Sequence, residues 1–357
     1  MERQNINMKP RNLILIPILI IALGVLPTAQ AVSPAPDGGY PGGNTAEGQN
    51  ALFSLTTGGF NTAVGYLSLR SHTGGNFSTA IGAGTLLANT ADDNTATGAG
   101  ALLSNTTGEE NTANGAFALF SNSEGDFNTA NGSFALFGNS TGERNTATGD
   151  SALYGNSTGN RNTANGNAAL VTNTTGNDNT AIGVRTLFFN NADKNTAIGV
   201  GALQANTTGD YNTATGPSAL YFNTTGNYNT ANGIAALANN TAGSGNVALG
   251  FAAGGNVTTA DNVIAIGTSG ENQSNSCYIG QIFGATSSGG TAVFINSDGK
   301  LGTTTSSRRF KEEIANGAGQ RSAIFAQTSH LPLQERDRPA RASPVWSGGR
   351  GGGRGQS

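Results

Sequence analysis

Asn94-Thr-Ala-Thr-Gly-Ala-Gly-Ala-Leu-Leu-Ser-Asn-Thr-Thr-Gly-Glu-Glu110 is one period of a pattern that returns along most of the chain. Its opening block, Asn-Thr-Ala-x-Gly, starts at Asn44, Asn61, Ser78, Asn94, Asn111, Asn128, Asn145, Asn162, Asn179, Asn195, Asn212, Asn229 and Asn246, with a degenerate copy at Asn262. Ten steps are 17 residues long and three are 16. A fixed short period means one small unit stacked on copies of itself. The unit is too short for a helical pair and carries no apolar stripe of helical period. It has the length of one turn of a β-solenoid. The expected fold is therefore all-β: a parallel β-solenoid of 17-residue coils over 44–268. Coils about 4.8 Å apart would make fourteen of them span about 65 Å.

The consensus assigns roles to positions one to seventeen of a coil. Ala at position three and Gly at position five hold in all thirteen clear copies, from Ala46 and Gly48 to Ala248 and Gly250. Both point to one face of a strand, so another backbone is expected close to it. Ala-Leu at eight and nine, as in Ala118-Leu119, reads as a second strand. Asn-Thr-Thr-Gly, as at Asn105–Gly108, reads as a turn using the positive φ that Asn and Gly tolerate. The 16-residue steps lose their residue there, as at Thr90–Asp92 and Asn191–Asp193, so length changes spare the strands. Position ten is apolar in most copies, including Phe53, Phe120, Phe137, Tyr154, Phe188 and Tyr221. With leucine at nine turned inward, this row would lie exposed, and several chains are expected to share the core. The alternative is a bend between nine and ten that turns both residues inward.

Composition narrows the function. The 357 residues include 54 glycines, only 11% charged residues and a net charge of -3. Such weak charge gives no electrostatic case for nucleic acid or an anionic membrane. Cys277 is the single cysteine, which excludes an internal disulfide framework. Arg3, Lys9 and Arg11, the apolar run Leu13–Leu26 and Ala29-Gln30-Ala31 form a secretory signal over 1–31. The apolar run is short and interrupted by Pro17, so cleavage is expected rather than a membrane anchor. A flexible leader, 32–43, follows. The product is read as secreted or surface-bound, without a transmembrane anchor.

The blocks Asn61-Thr-Ala-Val-Gly65, Asn179-Thr-Ala-Ile-Gly183, Asn195-Thr-Ala-Ile-Gly199 and Asn262-Val-Ile-Ala-Ile-Gly267 resemble the head repeats of trimeric autotransporter adhesins. The resemblance covers 44–268 and implies a left-handed parallel β-roll assembled as a homotrimer that binds a host or surface glycan or protein. Residues 269–305 read as a short β stem, with strands near Tyr278–Ile282 and Thr291–Ile295 and a turn at Ser297-Asp298-Gly299.

Thr303-Thr-Thr-Ser-Ser-Arg-Arg-Phe-Lys-Glu-Glu-Ile314 resembles the opening of the intramolecular chaperone domain of endosialidase tail spikes and other trimeric fibres. That family trimerises, folds the β-structure ahead of it and often cuts itself off. The resemblance makes Ser306 the vestigial nucleophile and Lys311 its base, with Arg309 also matching. Ser307 stands where the family carries Asp. The chaperone start covers 306–326, and 327–357 reads as a disordered Arg-, Pro- and Gly-rich tail. Allowed codons for Ala326–Pro339, read one nucleotide later, can spell LKPVTFRYKKEIDP, which is similar to that family's body. A frameshift near Ala326 is therefore expected.

No other chemistry is legible. His72 and His330 stand apart from any ligand cluster, and Asp92-Asp93 and Glu109-Glu110 read as solvated turn residues. The chain is not read as an enzyme, and no cofactor or metal is expected. Two functions remain: a trimeric adhesin-like or structural fibre, and a monomeric solenoid binding ice or polysaccharide. The second would use a threonine ladder through Thr45, Thr62, Thr79, Thr95 and Thr112.

Overall fold

The structure, a computed structural model, describes residues 40–285, 288–290 and 292–303. The signal segment, residues 32–39 of the leader, and everything from 304 onward, including 306–326 and the 327–357 tail, lie outside the described residues.

Each coil contributes one three-residue strand, formed by Thr-Ala-x in most copies. They are β1 (Thr45–Glu47), β2 (Thr62–Val64), β3 (Thr79–Ile81), β4 (Thr95–Thr97), β5 (Thr112–Asn114), β6 (Thr129–Asn131), β7 (Thr146–Thr148) and β8 (Thr163–Asn165). There follow β9 (Thr180–Ile182), β10 (Thr196–Ile198), β11 (Thr213–Thr215), β12 (Thr230–Asn232), β13 (Val247–Leu249), β14 (Ile264–Ile266) and β15 (Cys277–Ile279). They stack in chain order as one 15-stranded sheet. Every pairing is parallel and in register, for example Thr146 with Thr163 and Ala147 with Ala164. The chain is thus an all-β parallel solenoid, and no helix occurs among the described residues.

The second strand expected at positions eight and nine does not form. Leucine at nine sits in the left-handed region, with φ of 51° at Leu119 and Leu136, so the backbone turns a corner instead of extending. Positions seven and seventeen turn further corners in the same conformation, as at Phe117 (58°) and Arg144 (55°). A β-branched side chain is a genuine outlier there. From Asn44 to Asn262, positions seven, nine and seventeen never hold Val, Ile or Thr.

The Asn-Thr-Thr-Gly stretch also works differently from the expectation. Neither Asn105 nor Gly108 has positive φ. Gly108 is glycine because a Cβ there would fall 2.6 Å from Asn105 Oδ1 and 2.5 Å from the Gly125 carbonyl oxygen of the next coil. At position five both reasons apply: Gly115 has φ of 140°, and a Cβ would sit 2.5 Å from the Gly132 carbonyl oxygen. The close backbone anticipated at that position is therefore the next coil.

The interior is half apolar and half amide. Ala113, Ala118 and Leu119 of one coil, and their counterparts in the next, are fully buried. A buried leucine is worth about 1.5–3 kcal/mol. Opposite them run two buried asparagine ladders. At position one, Asn111 Oδ1 accepts the Asn128 backbone N–H at 3.0 Å, while Asn128 Nδ2 donates to the Gly142 carbonyl at 2.8 Å. At position twelve, Asn122 Nδ2 donates to Asn105 Oδ1 at 2.7 Å and to the Gly125 carbonyl at 2.9 Å. Buried amides are tolerated because each finds partners within its own coil and the neighbouring one. The second ladder runs from Asn89 to Asn240, and Val257 closes it at the far end. His72 takes the position before Asn89; its Nδ1 lies 3.3 Å from the Asn89 carbonyl oxygen and its Nε2 is buried with no hydrogen-bond partner among the described residues.

Residues of the same chain therefore fill each coil's interior. The residues at position ten stay outside the interior, half-buried from Leu87 onward and exposed at Phe53, so the bend that would turn both inward is absent.

The register corrects the end of the repeat. Val247 pairs with Ile264, which puts Val263, not Asn262, at position one and makes that step 17 residues. Val263 is buried and its N–H donates to Asn246 Oδ1 at 2.8 Å, ending the first ladder with an apolar residue. The shortening comes one coil later, where Ile264 pairs with Cys277 after 13 residues. Asn272 helps close that coil, its Oδ1 accepting the N–H groups of Thr258, Thr259 and Ala260, each at 2.9 Å. The parallel sheet thus runs one strand past residue 268.

A second unit begins after Ala285. Its described part is an antiparallel hairpin of β16 (Val293–Ile295) and β17 (Leu301–Thr303). Asn296 Oδ1 accepts the N–H groups of Asp298 and Lys300 to shape the turn.

Candidate ligand-binding face

Within β1–β14 only the alanine at position three points inward, and in β15 Tyr278 takes that place. Positions two and four face out, giving two parallel rows along the sheet. The threonine ladder read from Thr45, Thr62, Thr79, Thr95 and Thr112 forms as one row and continues through Thr129, Thr146, Thr163, Thr180, Thr196 and Thr213 to Thr230. Neighbouring rungs are about 4.8 Å apart, and the two rows about 6.6 Å. Position four is small and polar over β4–β8, with Thr97, Asn114, Asn131, Thr148 and Asn165. Glu47 is the one charged residue in either row from β1 to β15.

Hydrogen bonding separates this row from the other threonines. At position thirteen the hydroxyls are part of the scaffold: Thr106 donates to the Ser123 carbonyl at 2.8 Å and Thr207 to the Thr224 carbonyl at 2.9 Å. The position-two hydroxyls, such as those of Thr112, Thr129, Thr146 and Thr163, make no hydrogen bond to any described residue. They form a regular, uncharged array of free donors and acceptors, exposed at their strand positions.

Other surface rows are occupied by their own members. Position ten stacks on itself, Phe120 on Phe137 at 5.1 Å and Phe137 on Tyr154 at 5.0 Å between ring centroids, with Phe117 on Phe134 beside them at 5.4 Å. Position seventeen pairs charges and rings. Arg144 lies 5.1 Å over Phe127, and Arg161 grips Asp178 through two bonds of 2.6 and 3.0 Å. The Arg161 hydrogen bond holds the Asp178 carboxyl below its usual range, partly opposed by burial. Lys194 is raised by its 2.8 Å hydrogen bond to the Tyr211 hydroxyl. Position sixteen uses side-chain acceptors as caps: Asp92 takes the Asn76 N–H and Asp126 the Glu109 N–H, both at 2.8 Å. Asp92, read as a solvated turn residue, therefore helps hold one coil to the next.

At the start of the stack a cavity of about 230 Å³ is lined by Tyr40, Leu52 and Leu55. The residues expected to carry self-cleavage, Ser306 and Lys311, lie outside the described residues. Cys277 is exposed at position two of β15. Among the described residues no group of three His, Cys, Asp or Glu side chains could hold a metal ion, and no helix is long and apolar enough to cross a membrane. No family model, no curated protein and no solved structure matches the chain.

Proposed function

We propose that this is a secreted or cell-surface fibrous protein, adhesin-like or structural, that forms a homotrimer and binds its ligand through the threonine-lined sheet face. The remnant of a self-trimerising chaperone domain would follow it. The observation that supports this reading is the in-register row of threonine hydroxyls that the fold itself leaves unused. A repeating face suits a repeating ligand, because every additional rung adds contacts without a new docking event. A surface glycan fits it best: hydroxyl meets hydroxyl, and beyond Glu47 the rows carry no charge to impose an electrostatic preference.

A second reading is a monomer binding ice or polysaccharide. It draws on the interior being completed by one chain and on the regular spacing of the row.

Replacing Thr112, Thr129, Thr146 and Thr163 with valine keeps the branched shape and removes four hydroxyls. Wild-type protein should retain at least one glycan class on an array, and the variant should lose affinity on the order of 100-fold. Equal binding by both proteins overturns the assignment of the face. Inhibition of ice recrystallisation by the wild type alone would favour the second reading.

A further inference from the structure

A stack of coils needs its ends closed, because an open end exposes both core and unpaired main chain. At the start of this stack the interior is incompletely covered. Leu52 keeps 8% exposure where Leu69 of the next coil has none, and Ala51 and Leu55 are only partly buried. All three line the cavity of about 230 Å³. Main chain is open there too. In later coils the carbonyls at positions eight, ten and thirteen accept N–H groups from the coil before, as Ser68 does from Leu52, Arg70 from Ser54 and Thr73 from Thr56. The matching carbonyls of the first coil, those of Ala51, Phe53 and Thr56, accept from no described residue.

The chain enters this end in register. Gly42 accepts the Phe60 N–H at 2.8 Å, as Gly59 accepts the Phe77 N–H one coil later at 3.1 Å. Gly59 is position sixteen of its coil, so Gly42 stands at position sixteen of a coil before the first. Counting back, Pro34, Ala35, Pro36, Asp37 and Gly39 fall at positions eight, nine, ten, eleven and thirteen. The two prolines, which have no N–H, fall where N–H groups of later coils bond within their own coil, as Ala118 does to Gly115 and Gln204 to Gly201. Ala35, Asp37 and Gly39 fall at the three positions whose N–H groups bond the following coil.

We propose that residues 32–39 lie across the first coil as a partial coil that caps the solenoid. Pro34 and Ala35 fill the cavity over Leu52 and Leu55. The N–H groups of Ala35, Asp37 and Gly39 donate to the Ala51, Phe53 and Thr56 carbonyls. The occupant is this segment because it is joined to Tyr40, which itself lines the cavity. Its eight residues extend up to about 26 Å, so Ala35 reaches the cavity without strain. The cap holds whatever the threonine face binds.

Two measurements on the full chain test it. Pro34→Asp with Ala35→Asp puts charge into the cavity. Hydrogen exchange should then quicken several-fold at the amides of 44–60 and stay as in the wild type at 111–178. In a Cys277→Ser background, Ala35→Cys with Leu52→Cys sets thiols on adjacent rungs about 4.8 Å apart, within reach of a disulfide. Under mild oxidation that pair should close within single chains several-fold faster than Ser33→Cys with Leu52→Cys, which is two positions out of step. Both pairs share the Leu52→Cys change, so any loosening of the first coil affects them alike. Unchanged exchange at 44–60, or equal linkage of the two pairs, overturns the cap.

Discussion

At the residue scale the coil depends on two demands, a left-handed backbone at three corners and tiny side chains inside. Leu136 meets the first with φ of 51° and full burial. Leu136→Ile keeps the volume but puts a β-branched residue in that region. It should cost about 1–2 kcal/mol more than Leu136→Met, which conserves volume without branching. Urea denaturation of the two variants checks the difference, and equal midpoints would count against the corner geometry. Ala147 and Ala164 meet the second demand, facing the interior on adjacent rungs at zero exposure. Leucine at both should overpack the core by about 1–3 kcal/mol per site, seen as a lower thermal midpoint. Surface charge matters less. The depressed Asp178 carboxyl adds stability above its unfolded pKa and loses it as pH falls through the lower folded value. The pair is exposed, so Asp178→Asn should leave the thermal midpoint unchanged within error at neutral pH and high salt.

At the element scale the unit is the rung, and its least obvious part is the amide half of the core. Asn139 donates to Asn122 Oδ1 and to the Gly142 carbonyl, and its own Oδ1 accepts from Asn156. Asn139→Asp supplies no donor at neutral pH, so two acceptors face a carboxylate. The loss should be several kcal/mol, each unsatisfied buried group costing about 1–3, and hydrogen exchange should quicken in the adjoining coils first. Protection spread unchanged along the stack would contradict the ladder. This half of the core was hidden in the sequence because Asn before Thr-Thr-Gly looks like turn chemistry. The period, the strand at Thr-Ala-x and the inward alanine were legible because strand alternation exposes them directly. The corner at Leu119 was not, since leucine next to alanine suggests a strand. The missing signal was an absence: no Val, Ile or Thr at positions seven, nine and seventeen from Asn44 to Asn262. The slip at Asn262 has a similar cause. Val263 replaces the asparagine that marks a coil's start, and a neighbouring Asn imitates it.

At the scale of the solenoid, a stack whose coils each contact only their neighbours turns sequence period into surface period. The threonine row was legible as a row of letters. Its free hydroxyls were not, because threonines at position thirteen look identical in sequence yet donate to the next coil's backbone. Every surface row depends on the register of one chain with itself. A cysteine pair tests that register most directly. With Cys277→Ser as background, Thr146→Cys with Thr163→Cys puts thiols on adjacent rungs about 4.8 Å apart, and Thr146→Cys with Thr180→Cys on alternate rungs about 9.6 Å apart. A crosslinker that spans only the shorter distance should join the first pair within single chains and leave the second unlinked. Linkage of the alternate pair, or linkage of the adjacent pair only between chains, would contradict the in-register solenoid.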